Sequence, residues 1–184
     1  MVVALALLLS VVFGAGDQYL GSLTGSGHAW AAGWSSDISL LSAPWLVLPF
    51  LAGATQRTPR RAALLGLACT YAALLGYGVM TVSPIEHAHF TVATVRAFLI
   101  SERSVLIGGI VTGPLFGWFG HQWRTRRAIA PALITAAALC LEPFARRATI
   151  DPIQQRDVRL AEIAAGLTFA AAVLVHHYAR TAED

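Results

Sequence analysis

The feature that most constrains this chain is a series of long apolar runs that contain almost no charge. Six runs cover approximately residues 2–20, 38–55, 62–82, 105–120, 128–144 and 158–178. A helix that crosses a bilayer needs about 20 mostly apolar residues, because the hydrocarbon core is about 30 Å thick and each residue adds about 1.5 Å. The sequence therefore predicts an all-α polytopic membrane protein, with residues 1–184 forming a single domain that is a six-transmembrane-helix bundle.

The amino-acid composition favours the same interpretation. Charged residues make up 12% of the chain, whereas a soluble domain carries about 25%. The basic residues are all arginines, and they lie between the apolar runs rather than on one clustered face. We therefore expect the chain to associate with a lipid bilayer and not with nucleic acid.

The segment 89–104 lies between the third and fourth runs and has a different character. Arg96 interrupts it, and it is too short to cross a bilayer. Its apolar residues recur at helical spacing, at Val92, Val95, Phe98 and Leu99. This pattern predicts a short amphipathic helix that lies in the membrane interface.

The short loops predict the orientation of the helices. Two loops carry arginine and no acid: Arg57, Arg60 and Arg61 after the second run, and Arg124, Arg126 and Arg127 after the fourth. Short arginine-rich loops stay in the cytoplasm, so we expect a cell-membrane protein with both termini cytoplasmic. A second interpretation of the first run is a signal peptide cleaved near Gly14–Gly16, but no basic residue precedes its apolar part.

Small residues recur at intervals of four on two of the runs. They are Ala6, Ser10 and Gly14 on the first run, and Gly109, Gly113 and Gly117 on the fourth. The hydrophobic effect does not drive helices together in lipid, so small residues that allow close backbone approach matter more there. These stripes predict close helix packing, either within the bundle or against another membrane protein.

Several polar positions suggest a site on the outer side. Asp17 and Glu142 fall near the C-terminal ends of outward-running helices, where the helix dipole disfavours an acid. The candidate ligand-binding residues are Asp17, Tyr19, Trp30, Trp34, Glu142 and Arg146. The alternative is that Asp17 and Glu142 belong to a structural cluster with arginine, for which Arg146 and Arg147 are the nearest candidates, and that this cluster holds helix ends together.

The remaining polar and aromatic residues receive structural interpretations. Glu102 and Glu162 fall near helix N-termini, where the dipole favours an acid. Asp37 follows two serines and is predicted to cap the second helix. The tryptophans near the ends of the runs, Trp34, Trp45, Trp118 and Trp123, are typical of anchors at the membrane interface.

Metal binding and catalysis have little support in the sequence. Glu86, His87 and His89 are weak metal candidates, because zinc usually takes a third protein ligand beside a histidine pair and no other residue is well placed. Gly25–His28 matches one element of the lipid phosphatases, but their other elements are missing. We predict no metal site, no cofactor and no enzymatic activity.

Four stretches carry a resemblance to a known family. They are FGAGDQYL at 13–20, LSAPWL at 41–46, TGPLFG at 112–117 and LEP at 141–143. With these stretches the chain resembles a family of six-helix membrane proteins of unknown function from high-GC bacteria. The resemblance implies the architecture and no chemistry. In size, helix count and topology the chain is also similar to the substrate-binding subunits of energy-coupling-factor importers.

Two hypotheses about function follow. The first is a small-solute binding or transport component, which predicts a polar cavity on the outer side and a partner protein that supplies energy. The second is a membrane interaction or regulatory protein, which predicts closed packing on that side, with Asp17 and Glu142 tied to arginine and a small-residue stripe facing lipid.

Overall fold

The computed structural model describes residues 1–23, 29–83, 89–148 and 152–181. Within these ranges the chain is all-α and contains no strand. The eight helices are α1 (Val2–Ser22), α2 (Ala29–Ser39), α3 (Pro44–Ala54), α4 (Pro59–Thr81), α5 (Val92–Ser101), α6 (Arg103–Arg126), α7 (Ile129–Arg146) and α8 (Arg156–Thr181). The all-α class predicted from the apolar runs is confirmed for this part of the chain.

Several of these helices have the length and apolarity needed to cross a bilayer. Within the described residues, four meet both conditions separately: α1, α4, α7 and α8. Two bent pairs, α2 with α3 and α5 with α6, also meet them when each pair is taken together, which gives up to six spans. Large apolar side chains such as Leu8 and Val175 are 60% and 68% exposed, as expected for surfaces that face lipid. The helices are those of a multi-pass membrane protein.

The second predicted span, residues 38–55, differs from the structure in its first half. The helix that contains Ile38 begins at Ala29 and ends at Ser39, and α3 starts at Pro44 after a break and a bend of 48°. Asp37 therefore lies near the end of α2, and the prediction that it caps a following helix is wrong. Its carboxylate instead accepts a hydrogen bond from the backbone N–H of Gln155, just before α8.

The predicted interfacial helix at 89–104 corresponds to α5. This helix is followed directly by α6, and the two meet at Glu102 with a bend of 62°. α6 is longer than the predicted span of 105–120 and continues through Pro114 to Arg126. The hydroxyl of Tyr71 on α4 donates to the carbonyl oxygen of Leu106 at 2.8 Å, which holds the start of α6 against α4.

α4 and α6 make the most extensive contacts in the bundle. α4 contacts α1, α3 and α6, and α6 also contacts α3 and α7, while α7 and α8 form a second pair. The glycines of α6 lie directly against backbone atoms of its neighbours: Gly113 against Leu67, Gly117 against Ala62, and Gly120 against Phe50. On α1, Gly14 lies against the backbone of Ala73. The small-residue stripes therefore face other helices of the same chain.

The two ends of the bundle differ in charge. At one end, which we call the basic end, the Nδ1 atom of His121 lies 3.0 Å from the carbonyl oxygen of Gln56, so the two arginine-rich turns meet. The start of α1 packs beside the start of α4 there, and the Trp123 ring lies against His176 near the end of α8. Both signs of charge are present at the opposite end, which we call the acidic end because it holds Asp17, Glu102, Glu142 and Glu162; Arg103, Arg146 and Arg147 also lie there.

Candidate functional site

A cavity of about 620 Å³ lies at the acidic end of the bundle. It is bounded by α1, by the break between α2 and α3, by α4, and by the start of α6 where α5 bends away. Its polar lining residues are Asp17, Ser39, Ser42, Thr70, Tyr77, Glu102 and Thr112. A volume of this size is within the range of about 300–1,000 Å³ found for small-molecule sites.

Asp17 is the most buried acid that lines the cavity. Its residue is 9% exposed, and the indole N–H of Trp45 lies close enough to interact with its carboxylate. Ser10, Gly14 and Asp17 form one buried line along α1, which turns this carboxylate toward the other helices. In the part of the chain that the structure describes, no arginine or histidine pairs with Asp17.

Aromatic rings form one wall beside Asp17. Trp45 contacts Phe13 of α1 edge to face, with ring centroids 5.5 Å apart, and contacts Tyr77 of α4 in the same way at 6.1 Å. The ring of Tyr77 also lies 6.2 Å from that of Phe98 on α5. Four helices therefore contribute to one row of rings. Trp45 and Tyr77 are the members of the row that line the cavity.

Three of the hydroxyl groups in the lining are arranged as acceptors. Thr70 donates to the carbonyl oxygen of Gly66 at 3.1 Å, Thr112 donates to that of Gly108 at 3.0 Å, and Ser39 donates to that of Ser36 at 2.9 Å. Each hydroxyl has a single hydrogen, which these bonds use. The oxygen lone pairs are what remains to interact with a molecule in the cavity.

Glu142 and Arg146 of α7 hold the break between α2 and α3. The Glu142 carboxylate accepts hydrogen bonds from the backbone N–H groups of Ser42 and Ala43, at 2.6 and 2.5 Å. Arg146 donates to Glu142 and to the Ser42 hydroxyl, both at 2.7 Å, and to the carbonyl oxygen of Leu40. These contacts, which we call the clamp, supply partners for backbone groups that a continuous helix would have satisfied.

The comparisons with known proteins give one match. Residues 2–183 match the model of the Family of unknown function (DUF6518). The chain belongs to this family. No curated protein and no solved structure matches it. Membership of DUF6518 confirms the predicted resemblance to a family of unknown function, and it assigns no activity.

The structure of this DUF6518 member separates the residues predicted to bind a ligand. Asp17 lines the cavity, whereas Glu142 and Arg146 belong to the clamp and are not among the lining residues. Tyr19 and Trp34 are 45% and 48% exposed and do not line the cavity. The side chain of Trp30 lies outside the described residues.

Three lining residues are not identified as site residues by the sequence pattern. Trp45 has the position of an interface anchor, but it packs inside the bundle against Asp17 and Tyr77. Tyr77 and Thr70 are not among the predicted site residues, although they lie seven residues apart on α4 and hence on one helix face. Two sequence signals bear on which helix faces meet. The N-cap at Thr58 marks where α4 begins, and the small-residue stripe marks the packed face of α1.

For Glu162, the interpretation as an ordinary acid near a helix N-terminus is insufficient. This residue lies in the second turn of α8, is 4% exposed, and neither carboxylate oxygen makes a hydrogen bond of good geometry. It is close enough to Glu142 and Arg146 of α7 to interact with both electrostatically. Glu162 is thus a buried acid of α8 that lies beside the clamp without a hydrogen bond to it.

The weak metal candidates have little structural support. Glu86 and His87 lie outside the described residues, and His89 is exposed. Among the residues that the structure describes, no group of three or more His, Cys, Asp or Glu side chains is arranged to hold a metal ion.

Proposed function

We propose that this chain is a small-solute-binding component of the cell membrane, with its site in the cavity at the acidic end. The observation that carries the proposal is that both helix breaks meet at this cavity, beside a buried acid. Inside a bilayer, interrupted helical backbone is tolerated where it is buried in protein or lines an aqueous cavity. Interrupted helices also form the substrate sites of many membrane transporters.

The proposed membrane topology has six spans, with each bent pair crossing once. Both termini then lie at the basic end together with the two arginine-rich turns, and the positive-inside rule places that end in the cytoplasm. The cavity is accordingly on the outer half of the membrane. The six arginines of the two turns are all exposed, as expected for a surface in contact with water and lipid headgroups.

Cysteine labelling of intact cells tests this orientation. Thr58→Cys and Thr125→Cys lie in or beside the two turns, and both native threonines are exposed. In a background that lacks Cys69 and Cys140, we expect neither new cysteine to react with a membrane-impermeant maleimide until the cells are opened. Modification from outside at either position contradicts the orientation.

A transport role for this chain needs a partner that supplies energy. The sequence contains no nucleotide-binding loop of the type that couples transport to ATP hydrolysis. We therefore propose that the chain binds the solute and that another membrane protein supplies the energy. We propose no catalytic role for the cavity residues and no cofactor.

A cavity-filling variant tests whether the cavity is the binding site. Gly108 lines the cavity, and a Cβ atom placed on it meets nothing within 4 Å. The side chain of Gly108→Phe can therefore fill the cavity without a clash at its Cβ atom. Gly16→Phe is the matched control, because Gly16 is equally open but does not line the cavity.

The measurement is a thermal-shift screen of cationic, anionic and neutral metabolites on the purified chain. We expect at least one compound to stabilise the wild type and Gly16→Phe but not Gly108→Phe. The proposal fails if no compound stabilises the wild type, or if every compound that does so stabilises Gly108→Phe equally.

The second candidate function is a membrane interaction or regulatory protein, and the clamp is the observation that favours it. Glu142 is tied to Arg146, as this hypothesis expects. Its other expectations are not met in the described residues: Asp17 has no arginine partner, and the stripe of Ala6, Ser10 and Gly14 packs against α4 rather than facing lipid. Solute binding is therefore the better-supported proposal.

A further inference from the structure

We propose that the cavity binds an organic cation, either a protonated amine or a quaternary ammonium, between the Asp17 carboxylate and the rings of Trp45 and Tyr77. The inference rests on the proposed function and adds the chemical class of the solute. Three properties of the lining favour a cation: its charge, its hydrogen-bonding groups and its aromatic rings.

The charge of the lining favours a cation. Among its described residues the ionisable acids are Asp17 and Glu102, and no arginine or histidine is present. A carboxylate held inside a membrane protein is unfavourable unless a cation, water or several donors surround it. Asp17 has one donor nearby, the indole N–H of Trp45. A bound cation would supply the missing counter-charge.

The positive groups at the α2–α3 break beside the cavity are already occupied. The backbone N–H groups at the start of α3 would ordinarily attract an anion, but those of Ser42 and Ala43 bind Glu142. The guanidinium of Arg146 is bound to Glu142, Ser42 and Leu40. A phosphate or carboxylate solute would therefore find no free positive group at the α2–α3 break. Arg103, which follows Glu102 at the start of α6, is exposed and is not among the lining residues.

Three of the lining hydroxyls favour a solute that donates hydrogen bonds. The hydroxyls of Ser39, Thr70 and Thr112 give their hydrogens to carbonyl oxygens of their own helices, so they offer acceptor oxygens. An ammonium group has donors and no acceptor, and this lining matches it. A quaternary ammonium has no N–H, and for that ligand the rings carry more of the recognition.

The aromatic wall provides the remaining interaction. A cation held within about 6 Å of the centre of an aromatic ring is attracted to the ring face, and the attraction is stronger when the cation is desolvated. Trp45 and Tyr77 both line the cavity and cross at 68°, which leaves parts of both ring faces beside the same space.

Charge-selective thiol labelling tests the inference. Ser39→Cys is a near-isosteric change that places a thiol at the cavity wall, in a chain whose native cysteines are replaced by alanine. Three methanethiosulfonate reagents are compared on the purified chain in nanodiscs: the cationic trimethylammonioethyl and anionic sulfonatoethyl forms, which are similar in size, and the smaller neutral methyl form. The measured quantity is the modification rate with the cationic reagent divided by the rate with the anionic reagent. This ratio is then divided by the same ratio measured for free glutathione.

We expect this normalised ratio to be about tenfold or more, because a nearby carboxylate attracts one reagent and repels the other. Asp17→Asn should lower it at least fivefold, and Tyr77→Leu about threefold. Asp157→Asn, which removes an exposed acid of α8 outside the cavity, should leave it unchanged. Glu102→Gln removes the other lining acid. If Asp17→Asn does not fold, the normalised ratio is measured in Glu102→Gln instead.

The outcomes separate this inference from the proposed function. If the neutral reagent modifies the introduced thiol rapidly but the ratio is near one, or does not change in Asp17→Asn and Glu102→Gln, the cavity is open and the cation assignment is overturned. If the neutral reagent fails to react with the introduced thiol in the folded chain, the cavity is closed to water and both proposals fail.

Discussion

The two halves of α6 show how one helix can serve both packing and an open site. From its middle to its C-terminal end, α6 places Gly113, Gly117 and Gly120 against the backbones of α4 and α3. Its N-terminal half presents Gly108 and Thr112 to the cavity. The difference lies in the neighbours: α3 begins after a break and α5 bends away by 62°, so the helices that touch at the basic end diverge at the acidic end.

The comparison shows that a glycine in this bundle is not by itself a sign of packing. A Cβ atom on Gly117 would collide with backbone atoms of Ala62, whereas one on Gly108, about two and a half turns earlier, would meet nothing within 4 Å. Residue type is the same at both positions. The space around it is set by where the partner helices begin and bend.

The largest expected effect on stability comes from substituting the packed glycine, Gly117, and comparing it with the cavity glycine, Gly108. Gly117→Leu should lower the free energy of unfolding by about 3 kcal/mol or more, because the backbones of α4 and α3 cannot move aside without separating the bundle. Gly108→Leu should change it by less than about 1 kcal/mol. Equilibrium unfolding in mixed micelles of increasing SDS content measures both. Equal losses at the two positions would contradict the division of α6.

The next effect concerns the clamp that holds the α2–α3 break. Arg146→Met should lower the free energy of unfolding by about 2 kcal/mol, since it removes charge-assisted hydrogen bonds to Glu142 and Ser42 and one to the Leu40 carbonyl. The matched control is Arg147→Met, because Arg147 is exposed and its guanidinium contacts only the Phe144 ring, at 5.9 Å, among the contacts described here. If both variants lose the same stability, the clamp does not stabilise the break.

The smallest effect has the opposite sign and distinguishes the cavity acid from the clamp acid. Asp17→Asn should raise the free energy of unfolding by about 0.5–1 kcal/mol, because it removes a buried charge that has no cationic partner and keeps an acceptor for the Trp45 N–H. Glu142→Gln should instead lower it by about 2 kcal/mol, since it breaks the ion pair with Arg146. The same SDS titration in the absence of solutes compares them. Loss of stability in Asp17→Asn would indicate a structural role for Asp17.

The fold could be predicted from the sequence where the signal is local. The apolar runs at 62–82, 128–144 and 158–178 correspond to α4, α7 and α8 with ends that differ by a few residues. The break between α2 and α3 could not be predicted in this way. The partners of Ser42 and Ala43 lie on α7, 100 and 99 residues away, and a Gly-Ser-rich segment with Asp37 locally favours a loop and a helix cap.

The site could be predicted in part. The sequence identifies Asp17 because an acid inside an apolar run needs an explanation, and this residue does line the cavity. Tyr19 is grouped with it by nearness in sequence, although residues two apart face different sides of a helix. The roles of Trp45 and Tyr77 depend on which faces of α3 and α4 meet, and in lipid an aromatic residue near a helix end is equally consistent with an interface anchor.

The clamp has a consequence for how the chain is made. The amides of Ser42 and Ala43 bind a carboxylate 100 and 99 residues further along, and Asp37 binds an amide 118 residues further along. A ribosome adds about 5–20 residues per second, so these groups emerge roughly 5–20 seconds before their partners. During biosynthesis the junction of α2 and α3 must be hydrated or sheltered by the insertion machinery, and it reaches its final form when the last two helices arrive.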